Sequence, residues 1–335
     1  MLGNHRVTIH DVAKEASVSI ATVSKALNNV NVVKPKTKEK VLAAAEKLNY
    51  IPNIMGKQLK KTKTGMLGFY TTSITGPYFS MLVEAIAKEA ESRGYSLNVL
   101  ISSDKKIVLN NMLGGLVDGV IGFEDMLSQH DIEIIKQERI KTVFIDRNIH
   151  SETIGSVVFD SYDKSKQATQ YLLSLGHQNI AFLTGFTGTY DSDERLRGYL
   201  SALEEANIAK NSSLFIPGYF EERASYNAIK TFLASKPQKL PTAFIAGNDM
   251  SGLGAVKAIQ EIGFSVPEDF SIVSFDGIEL LDYFSPKITT VKNPISEQGK
   301  LAVTHLLDLI EQDAVGQSFL LKGELTIGDS VKEIG

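Results

Sequence analysis

The sequence contains no cysteine, which removes disulfides, thiolate metal sites and thiol nucleophiles together and fits a reducing compartment. No apolar run approaches the roughly 20 residues that a membrane span requires. The N-terminus also lacks the apolar core of a secretory signal, so the chain is expected in the cytoplasm and away from any membrane. Enzyme signatures are missing too. No Gly-x-Gly-x-x-Gly follows a strand pattern, and neither a Gly-Lys-Ser/Thr phosphate loop nor His-Glu-x-x-His occurs. The six histidines, His5, His10, His130, His150, His177 and His305, show no ligand spacing. No catalytic residue, metal or cofactor is therefore expected. His177, in Leu-Gly-His after a helical pattern, suits a cap or strand start better than a base.

What is present is an ordinary globular composition, 43% hydrophobic and 22% charged over 335 residues. That length exceeds one core and predicts two or three compact units. The net charge of −4 hides an asymmetry: residues 1–63 hold twelve Lys/Arg against four acids, so they carry +8 and the remainder −12. A basic head on an acidic body is the electrostatic footprint of a nucleic-acid module joined to something else. A solvated lysine-rich face gives the same count, so the pattern within the head decides.

That pattern is Thr8 to Asn28, TIHDVAKEASVSIATVSKALN. Thr8 with Asp11 three residues on reads as a capped helix start. Ile9, Val12, Ala13 and Ala16 then repeat at helical spacing. Ser17-Val18-Ser19 interrupts them, and Ser19 can cap a second helix over 20–27 that buries Val23, Ala26 and Leu27. Ile20, Ala21, Thr22 and Lys25 are left outward. Small packing residues let the two helices cross closely, as a helix-turn-helix needs to seat its second helix in a major groove. A helical hairpin packing on its own domain would show the same spacing. After a polar loop, Lys34-Pro35 opens a third helix over 36–48, with Val41, Leu42, Ala45 and Leu48 on one face. Residues 54–61 form a short basic segment containing Leu59, marginal as an isolated helix because of its length and Gly56.

From Gly65 short apolar runs alternate with amphipathic stretches. Strands are predicted at 66–71, 96–101, 119–123, 142–145, 157–159, 180–184, 242–246 and 271–275, and helices at 79–93, 132–138, 164–175, 194–206, 224–234, 251–262 and 297–311. This alternation implies parallel sheets covered on both faces, and its length implies two doubly wound lobes. In such folds ligands bind beyond the carboxyl ends of the strands. The polar and aromatic residues there are Tyr78 and Phe79, Asp146 and Arg147, Asp160 and Asp163, Arg195, Asn248 and Asp249, and Asp276. Carboxylates with an arginine suit hydroxyl groups, and aromatic rings can stack on a sugar or base. Taken singly, each could equally be a strand-end cap or an interlobe ion pair.

Over essentially its whole length the sequence resembles the LacI/GalR family of bacterial transcription repressors. The resemblance rests on VTIHDVAKEASVSIATVSKALN, LNYIPN, GYSLNVL, VDGVIG, FIDRN, LGHQNIAFLTG, RLRGY, GNDMSGLGAV, VPEDFSIVSFDG and ITTVKNP. It implies an all-α helix-turn-helix headpiece (1–52), a hinge helix (53–63) and an α/β effector and dimerisation domain (64–335). The last is like periplasmic sugar-binding proteins, with two doubly wound parallel-sheet lobes, about 64–160 with 292–320 and about 161–291 with 321–335. By position, Ile20, Ala21 and Lys25 fall where the family reads bases, and Thr8, Ser19, Thr22 and Asn28 where it touches phosphates. Leu59 falls where a hinge leucine enters the minor groove. Tyr78, Phe79, Asp163, Arg195, Phe220, Asn248 and Asp276 fall on effector positions.

Four departures stand out. Lys25 replaces a common arginine and cannot make its bidentate guanine contact. Ile54 and Gly56 weaken the hinge, 103–117 looks short for the second crossover, and Gly328 stands where arginine is frequent. The expected protein is a homodimer on a pseudo-palindromic double-stranded DNA operator, since no leucine heptad trails the C-terminal segment. It would repress carbohydrate-utilisation genes under control of a small polar effector, most readily a sugar or sugar derivative. The alternatives are a solute-binding protein for a sugar or purine, and a purine-responsive regulator.

Overall fold

Thr8 starts the first helix as its sequence requires. Its backbone N–H and its hydroxyl both donate to Asp11 Oδ2, at 2.8 and 2.7 Å, and α1 runs Ile9–Glu15. Ser17 then takes a left-handed φ of 54° and turns the chain. Ser19 Oγ accepts from the Thr22 amide at 3.2 Å, capping α2, Ile20–Leu27. Helix α3, Pro35–Lys47, carries its proline in the first turn. Val12, Ala13, Ala16, Val23, Ala26, Val41, Ala44 and Ala45 form the core, small enough for three short helices to meet. Leu42, expected on the buried face, is 46% exposed. The buried stripe is Val41, Ala44 and Ala45, and Leu42 lies one residue, about 100°, away from it.

This computed structural model describes residues 7–28, 32–51, 63–123 and 126–335. The chain divides into two compact units, Met1–Thr64 and Gly65–Gly335. The hinge residues Ile54, Gly56 and Leu59 lie outside the described residues.

The second unit contains two sheets of six strands. The first comprises β1 (Met66–Thr71), β2 (Ser96–Ile101), β3 (Gly119–Phe123), β4 (Thr142–Ile145), β5 (Ile154–Phe159) and the late β11 (Ser318–Leu321). Their order is β11-β5-β4-β3-β1-β2, all parallel. The second has β6 (Ile180–Thr184), β7 (Phe215–Pro217), β8 (Ala243–Ala246), β9 (Ser271–Asp276), β10 (Thr289–Lys292) and β12 (Glu324–Thr326). Its order is β12-β10-β9-β8-β6-β7, with only β12 antiparallel. Every residue of β3, β4, β5 and β9 is buried, which is why these strands read as continuous apolar runs rather than alternating ones.

Helices α4 (Pro77–Ser92), α5 (Lys105–Leu113), α6 (Gln129–Gln137) and α11 (Ile295–Glu311) belong to the first lobe. The second has α7 (Ser161–Ser174), α8 (Tyr190–Glu205), α9 (Glu222–Ala234) and α10 (Asp249–Glu261). Helices α7 and α8 touch so closely that a Cβ on Gly198 would lie 2.1 Å from the Tyr162 carbonyl. Between the lobes the chain crosses after β5, after β10 and after β11.

Several expectations change here. The 103–117 segment, where no helix was expected, carries α5, which buries Val108 and Met112. Strands β7 and β12 are three residues each, too short for a periodic signal, and Thr-Thr-Val-Lys of β10 reads as polar although its first three residues are buried. At Gly328 a Cβ would sit 2.3 Å from the Lys287 carbonyl, so no arginine could stand there without moving the backbone.

Candidate effector cleft and nucleic-acid face

Residues at and beyond the carboxyl ends of β1, β4, β6, β7, β8 and β9, with Phe123 at the end of β3, surround a cavity of about 630 Å³ between the lobes. Its backbone is unusually constrained. Asp146, Tyr219, Phe220 and Asp276 line it with φ of 55°, 53°, 58° and 111°. Non-glycine residues hold such angles only where their surroundings fix them. Phe220 shows how: a Cβ on Gly185 would lie 2.2 Å from its ring, so two glycine-flanked loops close around it.

The second-lobe wall is ionic. Arg195, 2% exposed, donates from Nη2 to Asp191 Oδ2 at 2.8 Å, from Nε to Ser161 Oγ at 3.2 Å, and from Nη1 to the Gly247 carbonyl. Asp276 Oδ1 lies 3.7 Å from Nη2. The guanidinium also stacks over Phe275, 4.7 Å from its centroid. Burial alone would lower the Arg195 pKa, but Asp191, Asp276 and Asp146 outweigh it and hold it above the ordinary value. Burial pushes the Asp276 carboxyl well above the usual carboxylate range, although Arg195 opposes the shift. Behind this wall Asp249 accepts from Thr290 Oγ1 at 2.7 Å, from the Ile278 amide at 2.8 Å and from Ser274 Oγ, which anchors the turn after Asp276. Burial raises the Asp249 carboxyl to about 6.

The first-lobe wall uses neutral partners. Tyr78 Oη lies 3.1 Å from Asp146 Oδ2 and 3.0 Å from Gln298 Oε1. Gln298 Nε2 donates to Asp146 Oδ1 at 3.0 Å. Burial, then the charges of Asp146, Asp191 and Asp276, keeps the Tyr78 phenol well above its ordinary pKa. Tyr78, Phe79 and Phe123 pack edge to face with centroids 4.9–6.0 Å apart. Across the cavity Phe186 and Tyr219 form a second pair at 5.5 Å.

Of the effector positions read from sequence, Tyr78, Phe79, Arg195, Phe220, Asn248 and Asp276 line this cavity. Asp163 does not: it is exposed on the first turn of α7, while its neighbours Asp160 and Ser161 are the buried residues. Asn248 faces the cavity but acts as a strand-end cap, its Oδ1 accepting from the Ser251 amide and its Nδ2 donating to the Phe220 carbonyl. Arg147 turns away, donating to the Leu127 carbonyl and lying over Phe144. Sequence reasoning missed Asp191, for which the available signal was its place four residues before Arg195 on one helix face. It also missed Gln298 and the Phe186–Tyr219 pair. His177 is fully buried between Thr242 Oγ1 and the Lys332 carbonyl, each 2.9 Å from a ring nitrogen. Burial lowers its pKa.

On the headpiece, Ser19, Ile20, Ala21, Lys25 and Asn28 are exposed along one side of α2 and its ends, with Thr8 and Thr22 half-buried beside them. The Ser19 and Thr22 hydroxyls bond each other at 2.8 Å. This leaves a small-residue face with one apolar projection, Ile20, and one cation, Lys25.

Residues 8–53 match the family described as "Bacterial regulatory proteins, lacI family", and residues 169–331 match the "Periplasmic binding protein-like domain" family. The chain is 35% identical to the probable HTH-type transcriptional repressor ExuR of Bacillus subtilis (strain 168), with 98% of this chain and 99% of that protein covered. Among solved structures, the lac repressor dimer bound to operator and the anti-inducer ONPF shares 30% identity and a TM-score of 0.81, covering 97% of this chain and 99% of that one. The transcriptional regulator CelR in complex with cellobiose shares 25% identity and a TM-score of 0.73, covering 97% and 100%. Agreement at this identity along nearly the full length makes the chain a member of the LacI family of bacterial transcriptional repressors, with a DNA-binding headpiece and a periplasmic-binding-protein-like effector domain.

Proposed function

We propose that the protein represses carbohydrate-utilisation genes and that a neutral sugar or sugar derivative, bound in the interlobe cleft, controls its operator affinity. One observation carries the choice of ligand class. Arg195 is already paired with Asp191 at 2.8 Å and lies 3.7 Å from Asp276, and Asp146 adds a third buried carboxyl group to the walls. Such a lining accepts hydroxyl donors and disfavours a multiply charged anion. The aromatic pairs on both sides offer faces for the apolar side of a sugar ring, and the CelR–cellobiose complex is a sugar-bound protein of the same architecture.

For DNA, the exposed face of α2 supports base contacts by Ile20, Ala21 and Lys25 and phosphate contacts by Thr8, Ser19, Thr22 and Asn28. A homodimer is favoured by the uncharged edge strand β2, which exposes Val99 and Ile101. An uncovered apolar edge is otherwise a liability. Sedimentation of Val99→Asp should show monomers where the native chain sediments as a dimer; unchanged sedimentation would remove this edge from the interface.

Thermal melting against sugars, sugar phosphates, polyols and nucleobases tests the ligand reading. A sugar at about 100 times its dissociation constant should stabilise the native state by roughly 2.7 kcal/mol, and Asp276→Asn should abolish the shift. Stabilisation by a nucleobase or a sugar phosphate, with neutral sugars silent, would overturn it.

A further inference from the structure

The cavity changes character from floor to rim. Asp146, Asp191, Arg195 and Asp276 form a buried polar floor. At the rim two aromatic side chains stand in solvent: Phe186 is 46% and Tyr219 44% exposed, although both line the cavity. Floor and rim are built on the same two loops. Gly185 sits against the Phe220 ring, which lies 5.7 Å from the Arg195 guanidinium, and the residues beside these two, Phe186 and Tyr219, pair with centroids 5.5 Å apart. Both rings are held from behind. The Gly218 and Tyr219 amides donate to the Thr184 carbonyl at 2.9 Å each, which fixes Tyr219 in its left-handed backbone. Thr189 Oγ1 donates to the Phe186 carbonyl at 2.9 Å. Left-handed backbone at a bulky residue and an apolar ring shown to water both cost stability, and such costs cluster where a ligand uses them. From the first lobe, Thr72, Ser73 and Thr75 bring neutral hydroxyls to the same cavity.

We infer that the rim is a second sugar subsite and the ligand a disaccharide, one ring held by its hydroxyls on the floor and the other laid by its C–H face on Phe186 and Tyr219. This rests on the reading of the cleft as a sugar site and adds which sugars it takes. The floor with Tyr78 and Phe79 is sufficient for one ring, but a single ring held there leaves the rim pair in water. A second ring covers that pair and keeps its hydroxyls toward solvent and the threonines. The volume of about 630 Å³ is of the size that takes a drug-sized ligand. At the rim Glu221 and Arg223 contribute one charge of each sign, so a neutral second unit fits better than an ionic one. The floor selects by hydroxyl pattern and the rim by length.

The test is titration calorimetry on the full chain with D-glucose, D-galactose and D-mannose, with cellobiose, maltose, lactose and melibiose, and with adenosine and guanosine. At least one disaccharide should bind about tenfold more tightly than either of its monosaccharides, the scale of a stacked aromatic contact. The double variant Phe186→Leu with Tyr219→Asn removes both aromatic faces, and asparagine tolerates the left-handed backbone. It should lose that gain and leave the monosaccharide nearly unchanged. Phe186→Leu alone, which keeps an apolar side chain, should lose part of the gain, and it serves if the double variant does not fold. Monosaccharides binding as tightly as every disaccharide would overturn the second subsite and leave the cleft reading intact. So would equal losses for both sugar classes in the variant. A nucleoside that binds more tightly than any disaccharide, and loses that advantage in the variant, would assign the rim to a base and overturn the inference. No binding by any sugar would instead overturn the cleft reading, and this inference with it.

Discussion

On the second-lobe side of the cleft, Asp191 and Asp276 are held by the charge of Arg195. On the first-lobe side, Asp146 is held by an amide and a phenol. Both walls stand on sheets of the same strand order and both use carboxylates in or beside left-handed backbone. The difference lies in what happens when a partner is lost. Removing a buried counter-charge leaves its paired carboxyl groups without it in a low-dielectric site, whereas removing a neutral amide costs one charge-assisted hydrogen bond. One wall is therefore tied to the stability of its lobe, and the other is open to tuning.

The largest effect should come from Arg195→Ala, which we expect to lower unfolding free energy by about 3–5 kcal/mol. Gln298→Leu should cost only about 1–2 kcal/mol. Urea denaturation of both variants reads the contrast, and equal losses would erase the distinction between the walls. The Arg195 variant should still bind operator at temperatures where it remains folded, because the headpiece has its own core.

A second, smaller effect sharpens the ionic side. Asp249 has a folded pKa of about 6 against an ordinary 3.8, so the folded state holds this proton more tightly than the unfolded chain. Its contribution is fully present below about pH 4 and is lost as pH rises through about 6. Asp249→Asn does not titrate, and the native protein should lose stability relative to it across that window. Urea midpoints near pH 4 and pH 7 measure the difference; a constant gap would show that Asp249 does not titrate there.

The smallest effect on the effector unit should come from outside both walls. Lys25→Ala should leave effector-unit stability within about 0.5 kcal/mol while weakening operator binding by about 1–3 kcal/mol. Equal losses on operator and random duplex would mean that Lys25 touches phosphate alone, and the salt dependence should then fall by about one unit of slope.

The headpiece helices and most of the strand–helix alternation of the second unit were legible in the sequence because they follow from local chemistry. Thr8 with Asp11, Ser19, Pro35 and the runs of β1 to β4 each declare their structure within a few residues. So did the position of the cleft, since strand ends can be read from runs. What tertiary structure alone decided is how the cleft residues are partnered. Arg195 meets Asp276 across 81 positions of chain, and Tyr78 meets Gln298 across 220. Asp163 and Asp160 are three residues apart, yet Asp160, the residue between β5 and the helix, is buried, while Asp163 on the helix's first turn is exposed. Periodicity fixes which side of its own element a residue occupies, but the partner it finds there depends on how distant elements pack.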